Sequence, residues 1–170
     1  MTIAFEDILQ KTVSDACVAI STAPRKKLAS VTLFDLILGD SGQHAYLHGV
    51  YMIFAQGGEP LLYVGRVHGP QFIERFPAHF ALGTGSWQNV FVTRHQEATR
   101  APDLASAAQR AAHCELLLLL SPPMYAARLE ALFMRFLQPT YNRRKERAGL
   151  PLTISPSSTI ASLLNVPPAP

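Results

Sequence analysis

Two short segments rich in β-branched and aromatic residues flank a turn-forming stretch, and this arrangement constrains the fold more than any other feature. Residues 49–55 read GVYMIFA, and residues 61–65 read LLYVG. The intervening residues 56–60 contain two consecutive glycines and a proline, a composition that favours a turn. The sequence therefore predicts a β-hairpin. If its turn is centred on the first glycine, Tyr51 lies directly opposite Tyr63 on one face of the sheet.

Helical and strand patterns flank this hairpin on both sides. Residues 4–20 place apolar side chains at the spacing of an amphipathic helix. The five leucines at 116–120 predict a buried strand, and Ser121-Pro122 begins a helix that extends to about Leu137. We therefore expect an α/β (α+β) fold: a small, mainly antiparallel three-stranded sheet flanked by helices, with an N-terminal helical extension.

The composition excludes several classes of protein. With 170 residues and 48% apolar side chains, the chain can build one domain and is neither disordered nor collagen-like. We divide it into an N-terminal helical extension (1–45), a central domain (46–147) and a Pro/Ser-rich tail (148–170). Cys17 and Cys114 lie far apart, which argues against a disulfide framework or a zinc knuckle. The longest apolar run is too short for a bilayer and no signal peptide is evident, so we expect a cytoplasmic protein without a membrane partner.

The positive charge is concentrated in the middle of the chain. Residues 1–65 contain four basic and six acidic side chains, whereas residues 66–147 contain eleven basic and six acidic ones. Ten of those eleven basic residues are arginines, which bind phosphate through two parallel hydrogen bonds. The distribution therefore favours nucleic acid as a partner of the central domain.

Chemically competent side chains follow the hairpin in a fixed order. Arg75 and His79 are four residues apart, so a helix would place them on one face, although Pro77 lies between them. Glu130 flanks the apolar stripe of the predicted helix 121–137, and Asn142 follows shortly after it. Together with the two tyrosine motifs, this order resembles the GIY-YIG nuclease family, which includes homing endonucleases, excinuclease C-type repair enzymes and certain restriction enzymes. The match covers roughly residues 46–145.

The resemblance implies a catalytic domain and a role for each matching residue. It implies a metal-dependent endonuclease that hydrolyses DNA phosphodiester bonds by a one-metal mechanism with Mg²⁺ or Mn²⁺. The implied catalytic residues are Tyr51, Tyr63, Arg75, His79, Glu130 and Asn142, with Glu130 as the metal ligand. The implied nucleic-acid-binding residues are Arg66, Arg75, Arg143, Arg144 and Lys145.

Within that scheme, Tyr51 is the general base or orients the attacking water, and Tyr63 supports it with a hydrogen bond. Arg75 holds the scissile phosphate, and His79 passes a proton or binds phosphate. Asn142 fixes the loop after the metal-binding helix. A phenol with an ordinary pKa near 10 is a poor base at neutral pH, so Tyr51 needs a neighbouring cation.

Two other functions are also compatible with the sequence. A catalytically silent, nuclease-like module could bind nucleic acid or a protein without cutting, and Glu74 beside Arg75 weakens the local phosphate field in its favour. The third hypothesis is a bacterial toxin or effector nuclease whose uncharged tail meets an inhibitor. The N-terminal helices or the C-terminal tail could also contact a protein partner or a second copy of the chain.

Overall fold

The protein is described here by a computed structural model, which covers residues 1–38, 48–67, 69, 71–81, 90–142, 150 and 153–167. The described part contains a five-stranded mixed sheet that does not close into a barrel. Its strands are β1 (Thr2–Ile3), β2 (Lys26–Lys27), β3 (Gly49–Phe54), β4 (Leu61–Val67) and β5 (Glu115–Leu120). The α-helices of the described residues are α1 (Phe5–Leu9), α2 (Val13–Thr22), α3 (Leu33–Leu38), α4 (Phe72–Arg75), α5 (Val90–Thr99), α6 (Leu104–Ala111), α7 (Pro123–Leu137) and α8 (Ile160–Leu164).

The sheet differs from the predicted three-stranded antiparallel one. The three expected strands are present in the order β5-β3-β4 and are antiparallel, but β1 and β2 extend the sheet beyond β5. β1 runs parallel to one half of β5, and β2 runs antiparallel to the other half. Each of these strands has two residues, too few to produce a periodic pattern in the sequence. They pair because the backbone groups along the outer edge of a buried strand need partners.

The register of the hairpin is also different from the predicted one. Tyr51 pairs with Gly65, and Tyr63 pairs with Ile53. The predicted Tyr51–Tyr63 pairing is therefore wrong by two positions, because a register shift between Ile53 and Phe54 makes the turn asymmetric. Since side chains alternate with a period of two, an even slip leaves both tyrosines on the same face.

Each face of the sheet is covered by a separate layer of helices. On one face, Val50, Met52 and Val64 pack in a core cluster that includes residues of α1, α2, α7 and α8. On the other face, Tyr51 and Ile53 belong to a cluster that includes residues of α3, α4, α5 and α6. On β3 and β5, successive apolar residues alternate between the two clusters, as the pleat of a strand buried on both sides requires.

The N-terminal helices are joined to the C-terminal segment. The predicted helix over residues 4–20 is interrupted before Val13, where the Thr12 hydroxyl accepts a hydrogen bond from the Asp15 amide and begins α2. The Val13 amide donates to the Ser158 carbonyl at 2.9 Å, and the Ile160 amide donates to the Lys11 carbonyl at 3.0 Å.

The apolar residues of the C-terminal segment are covered by this chain itself. Ile154, Ile160 and Leu164 are buried in the same core cluster as Ile8 of α1 and Ile20 of α2. Residues 153–167 are therefore a packed part of the domain rather than a projecting arm. No helix among the described residues combines the length and the apolar character needed to span a bilayer.

Candidate active site

Tyr51 is one of the two fully buried residues among the predicted site residues that the structure describes. Its side chain is 1% exposed on β3, and its ring packs edge-on against Phe72 and Phe76 at centroid distances of 6.5 and 5.7 Å. The Tyr63 ring stacks beside it at 6.1 Å. A Cβ atom at Gly65 would collide with the hydroxyl and the ring of Tyr51. The glycine on β4 therefore makes the space in which the phenol sits.

His79 is the hydrogen-bond partner of the Tyr51 hydroxyl. It lies in a 3₁₀ turn at Pro77–Phe80, is completely buried, and its Nε2 is hydrogen-bonded to the Tyr51 hydroxyl. The Phe91 amide donates to His79 Nδ1 at 3.4 Å. Burial, together with the nearby charge of Arg75, lowers the pKa of His79 to about 3. The ring is consequently neutral at pH 7, and because Nδ1 accepts, its proton is on Nε2 and is donated to the Tyr51 oxygen.

The predicted continuous helix carrying both Arg75 and His79 does not form. α4 ends at Arg75, and Pro77 begins the separate 3₁₀ turn that carries His79. The proline cannot donate the backbone hydrogen bond that a continuing helix requires. The two side chains are nevertheless neighbours, because the Arg75 charge contributes to the lowered pKa of His79.

Glu130 is a carboxylate beside β4 that is partly shielded from solvent. It lies on α7, its side chain is 23% exposed, and its Oε2 is 3.5 Å from Nε of Arg66 on β4. Burial raises the pKa of Glu130, whereas the guanidinium groups of Arg66 and Arg75 lower it, and the net direction is upward. The desolvation of this carboxylate is therefore only partly compensated by the two arginines.

The phenols, Arg75 and Glu130 influence one another electrostatically. Burial raises the pKa of Tyr51 well above its ordinary value, with Glu130 acting in the same direction and Arg75 against it. Burial also raises the pKa of Tyr63, again with Glu130 adding to the rise and Arg75 opposing it. The charges of both the carboxylate and the guanidinium therefore affect the pKa of each phenol.

These groups come from opposite faces of the sheet. Arg66 shares the α7 face with Val64, because residues two apart on a strand point the same way, whereas both phenol rings lie on the other face. In the described sheet, β4 is the outermost strand next to β3. Glu130 therefore raises the pKa values of the phenols from the other side of β4.

Asn142 binds the backbone of β4 beside Tyr63. Its Oδ1 accepts from the Val64 amide at 2.8 Å, and its Nδ2 donates to the Val64 carbonyl at 2.7 Å. The Tyr141 amide donates to the Leu62 carbonyl at 2.7 Å. The segment after α7 thus runs along the outer edge of β4, and the carboxamide acts there as a substitute for a peptide group.

One arginine near the site was missed by the sequence analysis. Arg94 on α5 lowers the pKa of Tyr63 and therefore lies close to that phenol. The described residues 90–94 form the first part of this helix. The helical spacing of Phe91 and His95, both buried, was the signal that could have identified α5. Arg143, Arg144 and Lys145 lie outside the described residues.

The donor set around Glu130 fits a hard cation that substrate and water help to ligate. The described residues contain no group of three or more His, Cys, Asp or Glu side chains able to enclose a metal. Mg²⁺ commonly takes only one or two carboxylates from the protein and completes its octahedron with waters and substrate phosphates. One shielded carboxylate beside arginines that can hold a phosphate meets that requirement, and it does not fit the four-ligand cage of a structural zinc site.

Comparison with known proteins does not identify a family for this chain. No protein-family model, no curated protein and no solved structure matches the chain. The class of site must therefore be inferred from its own chemistry: two phenols, two or more guanidinium groups and one carboxylate at the outer strand of a mixed sheet.

Proposed function

We propose that this protein is a metal-dependent endonuclease of the GIY-YIG type, which hydrolyses DNA phosphodiester bonds with one Mg²⁺ or Mn²⁺. The observation that carries the proposal is the mutual electrostatic influence of Tyr51, Tyr63, Arg75 and Glu130 around β4. These residues come from four separate elements, and together they supply what cutting a phosphodiester bond requires: a water-orienting phenol, a phosphate clamp and a cation ligand.

Arg75 and Glu130 have complementary tasks in this proposal. The Arg75 guanidinium binds the non-bridging oxygens of the scissile phosphate, and Arg66 and Arg94 extend the positive field around it. Glu130 holds the cation, whose positive charge would stabilise the departing oxygen. Without the cation, a carboxylate in this position repels the phosphate, which explains why cutting would depend on the metal.

Tyr51 orients the attacking water, and His79 stabilises it in that task. With a pKa raised by burial, the phenol is protonated at pH 7. Its oxygen accepts the proton of His79 Nε2, so its own hydroxyl hydrogen is available to Tyr63 or to a water. The phenol keeps its proton and orients the attacking water; as the bond from that water to phosphorus forms, the water's proton passes to solvent, and the departing oxygen takes a proton from solvent as its bond to phosphorus breaks. His79 therefore acts as a fixed donor rather than as a base.

The test is the nicking of supercoiled plasmid DNA with Mg²⁺ and with EDTA. Glu130→Gln and Arg75→Ala should each lower the rate by about 10²-fold or more, the usual cost of removing a group that stabilises charge in the transition state. Glu97→Gln, which removes an exposed carboxylate from α5, is the matched control and should cut at the wild-type rate. Cleavage that persists in both site variants would contradict the assigned roles.

The alternative function is a nuclease-like module that binds nucleic acid without cutting it. The observation in its favour is the Arg66–Glu130 ion pair, which compensates the carboxylate without a cation. Glu74 no longer supports it, because its carboxylate accepts a hydrogen bond from the Gln71 amide at 2.7 Å and caps the start of α4. Salt-dependent DNA binding with no Mg²⁺-dependent product would identify such a module.

A further inference from the structure

The guanidinium of Arg66 lies beside the carboxylate that would hold the cation. Arg66 Nε lies 3.5 Å from Glu130 Oε2, and the two side chains are 35% and 23% exposed. At 3.5 Å this contact is longer than the roughly 2.7–2.9 Å of a charge-assisted hydrogen bond, so the pair is loosely held and can exchange for another partner. Arg66 is also carried by the outermost strand of the described sheet, and its side chain is partly exposed there.

We infer that Arg66 exchanges partners when the site is loaded. In the metal-free protein it pairs with Glu130, and when a divalent cation takes the carboxylate, the guanidinium is released to a phosphate of the nucleic acid. This inference rests on the proposed function, since it needs a cation at Glu130. It assigns Arg66 as a positioning residue that couples metal binding to nucleic-acid binding.

The physical reason is competition for one carboxylate. A cation with two charges that binds Glu130 removes the partner of Arg66 and repels its guanidinium. A free guanidinium beside a phosphate-binding site forms charge-assisted, bidentate hydrogen bonds with phosphate oxygens. Because coupling between two ligands is reciprocal, nucleic acid that engages Arg66 must in turn strengthen metal binding at Glu130.

The first experiment measures Mn²⁺ binding to the DNA-free protein by isothermal titration calorimetry. Arg66→Gln should bind Mn²⁺ about three- to tenfold more tightly than wild type, because the competing cation of the ion pair is gone. Arg128→Gln removes the same charge from α7, where Arg128 donates to the Leu164 carbonyl at 3.1 Å, and should match wild type. Unchanged or weaker Mn²⁺ binding by Arg66→Gln would overturn the inference.

Glu130→Gln separates this failure from a failure of the proposed function. Loss of Mn²⁺ binding in Glu130→Gln supports the metal site itself, whatever Arg66 does. If wild type and Glu130→Gln bind Mn²⁺ equally, the proposed metal ligand is wrong, and the inference about Arg66 is overturned with it.

The second experiment measures the affinity for a fluorescent DNA duplex with and without Ca²⁺, which should occupy the site without supporting rapid cutting. Ca²⁺ should increase the affinity of wild type more than that of Arg66→Gln, by a ratio of about three to ten. Arg66→Lys keeps the charge without the bidentate fork and should give an intermediate ratio. An equal gain in wild type and Arg66→Gln would show that the two binding events are not coupled through this side chain.

Discussion

Gly65 shows how a single missing side chain shapes the site. Tyr51 is enclosed by aromatic rings and by His79, so it cannot move aside for a methyl group at Gly65. We predict that Gly65→Ala lowers the free energy of unfolding by about 1–3 kcal/mol, the usual cost of overpacking, and impairs nicking. Urea unfolding and the plasmid assay measure the two effects.

Gly69→Ala is the natural control for that substitution. Apart from its two chain neighbours, no described residue has a heavy atom within 4 Å of a Cβ atom placed at Gly69, so this variant should retain wild-type stability. If the two alanine variants unfold at the same urea concentration, the close approach of Gly65 to the phenol is not a determinant of the fold.

The buried His79 predicts a pH dependence of stability. Its pKa falls from 6.5 to about 3 on folding, so the unfolded chain binds the proton more readily than the native one. The contribution to stability is complete above pH 6.5 and is lost as the pH falls toward 3. We expect a slope of about 1.4 kcal/mol per pH unit from this group within that window.

Urea unfolding of wild type and His79→Gln between pH 4 and pH 7 measures this slope. Glutamine cannot take up the proton, so the stability of His79→Gln should depend less steeply on pH than that of wild type. If the free energy of unfolding of both proteins depends on pH in the same way, another group causes the loss of stability at low pH.

At the scale of elements, Asn142 ties the segment after α7 to β4. The Val64 amide donates to its carboxamide, so Asn142→Ala should expose that amide and speed its hydrogen exchange by about tenfold or more. Loss of the two hydrogen bonds should also cost about 1–3 kcal/mol of stability. Amides within β5, which pair with β3 on the far side, serve as the internal reference and should keep their wild-type protection.

Asn142→Asp separates the two hydrogen bonds. A carboxylate still accepts from the Val64 amide but cannot donate to the Val64 carbonyl, so this variant should fall between wild type and Asn142→Ala. Unchanged exchange at Val64 in both variants would mean that the carboxamide does not hold the strand.

At the scale of the whole molecule, the C-terminal segment closes the core over α1 and α2. Ile160 and Leu164 are 0% and 2% exposed, and each alanine substitution should cost about 2–5 kcal/mol. Leu163 is only partly buried, so Leu163→Ala should cost less. Thermal unfolding of the three variants tests this order, and equal melting temperatures in all of them would contradict a structural role for the segment.

Local pattern was sufficient for some elements and insufficient for others. The apolar and β-branched runs identified β3, β4 and β5, and the proline and leucine pattern identified α7. These elements have enough residues to display a period of two or of 3.6. The short strands β1 and β2 were missed because their pairing depends on neighbours that are distant in the sequence, whereas α5 was missed although Phe91 and His95 have helical spacing.

The sequence by itself determined which chemical groups are available: the two phenols of the hairpin, Arg75, Glu130 and Asn142. Tertiary structure alone decided how they are related. Hairpin register, the proton on His79 Nε2 and the Arg66–Glu130 ion pair each depend on contacts between separate elements. The physical reason is range: side-chain periodicity acts over a few residues, whereas pairing and burial are set by chain segments that meet only when the protein has folded.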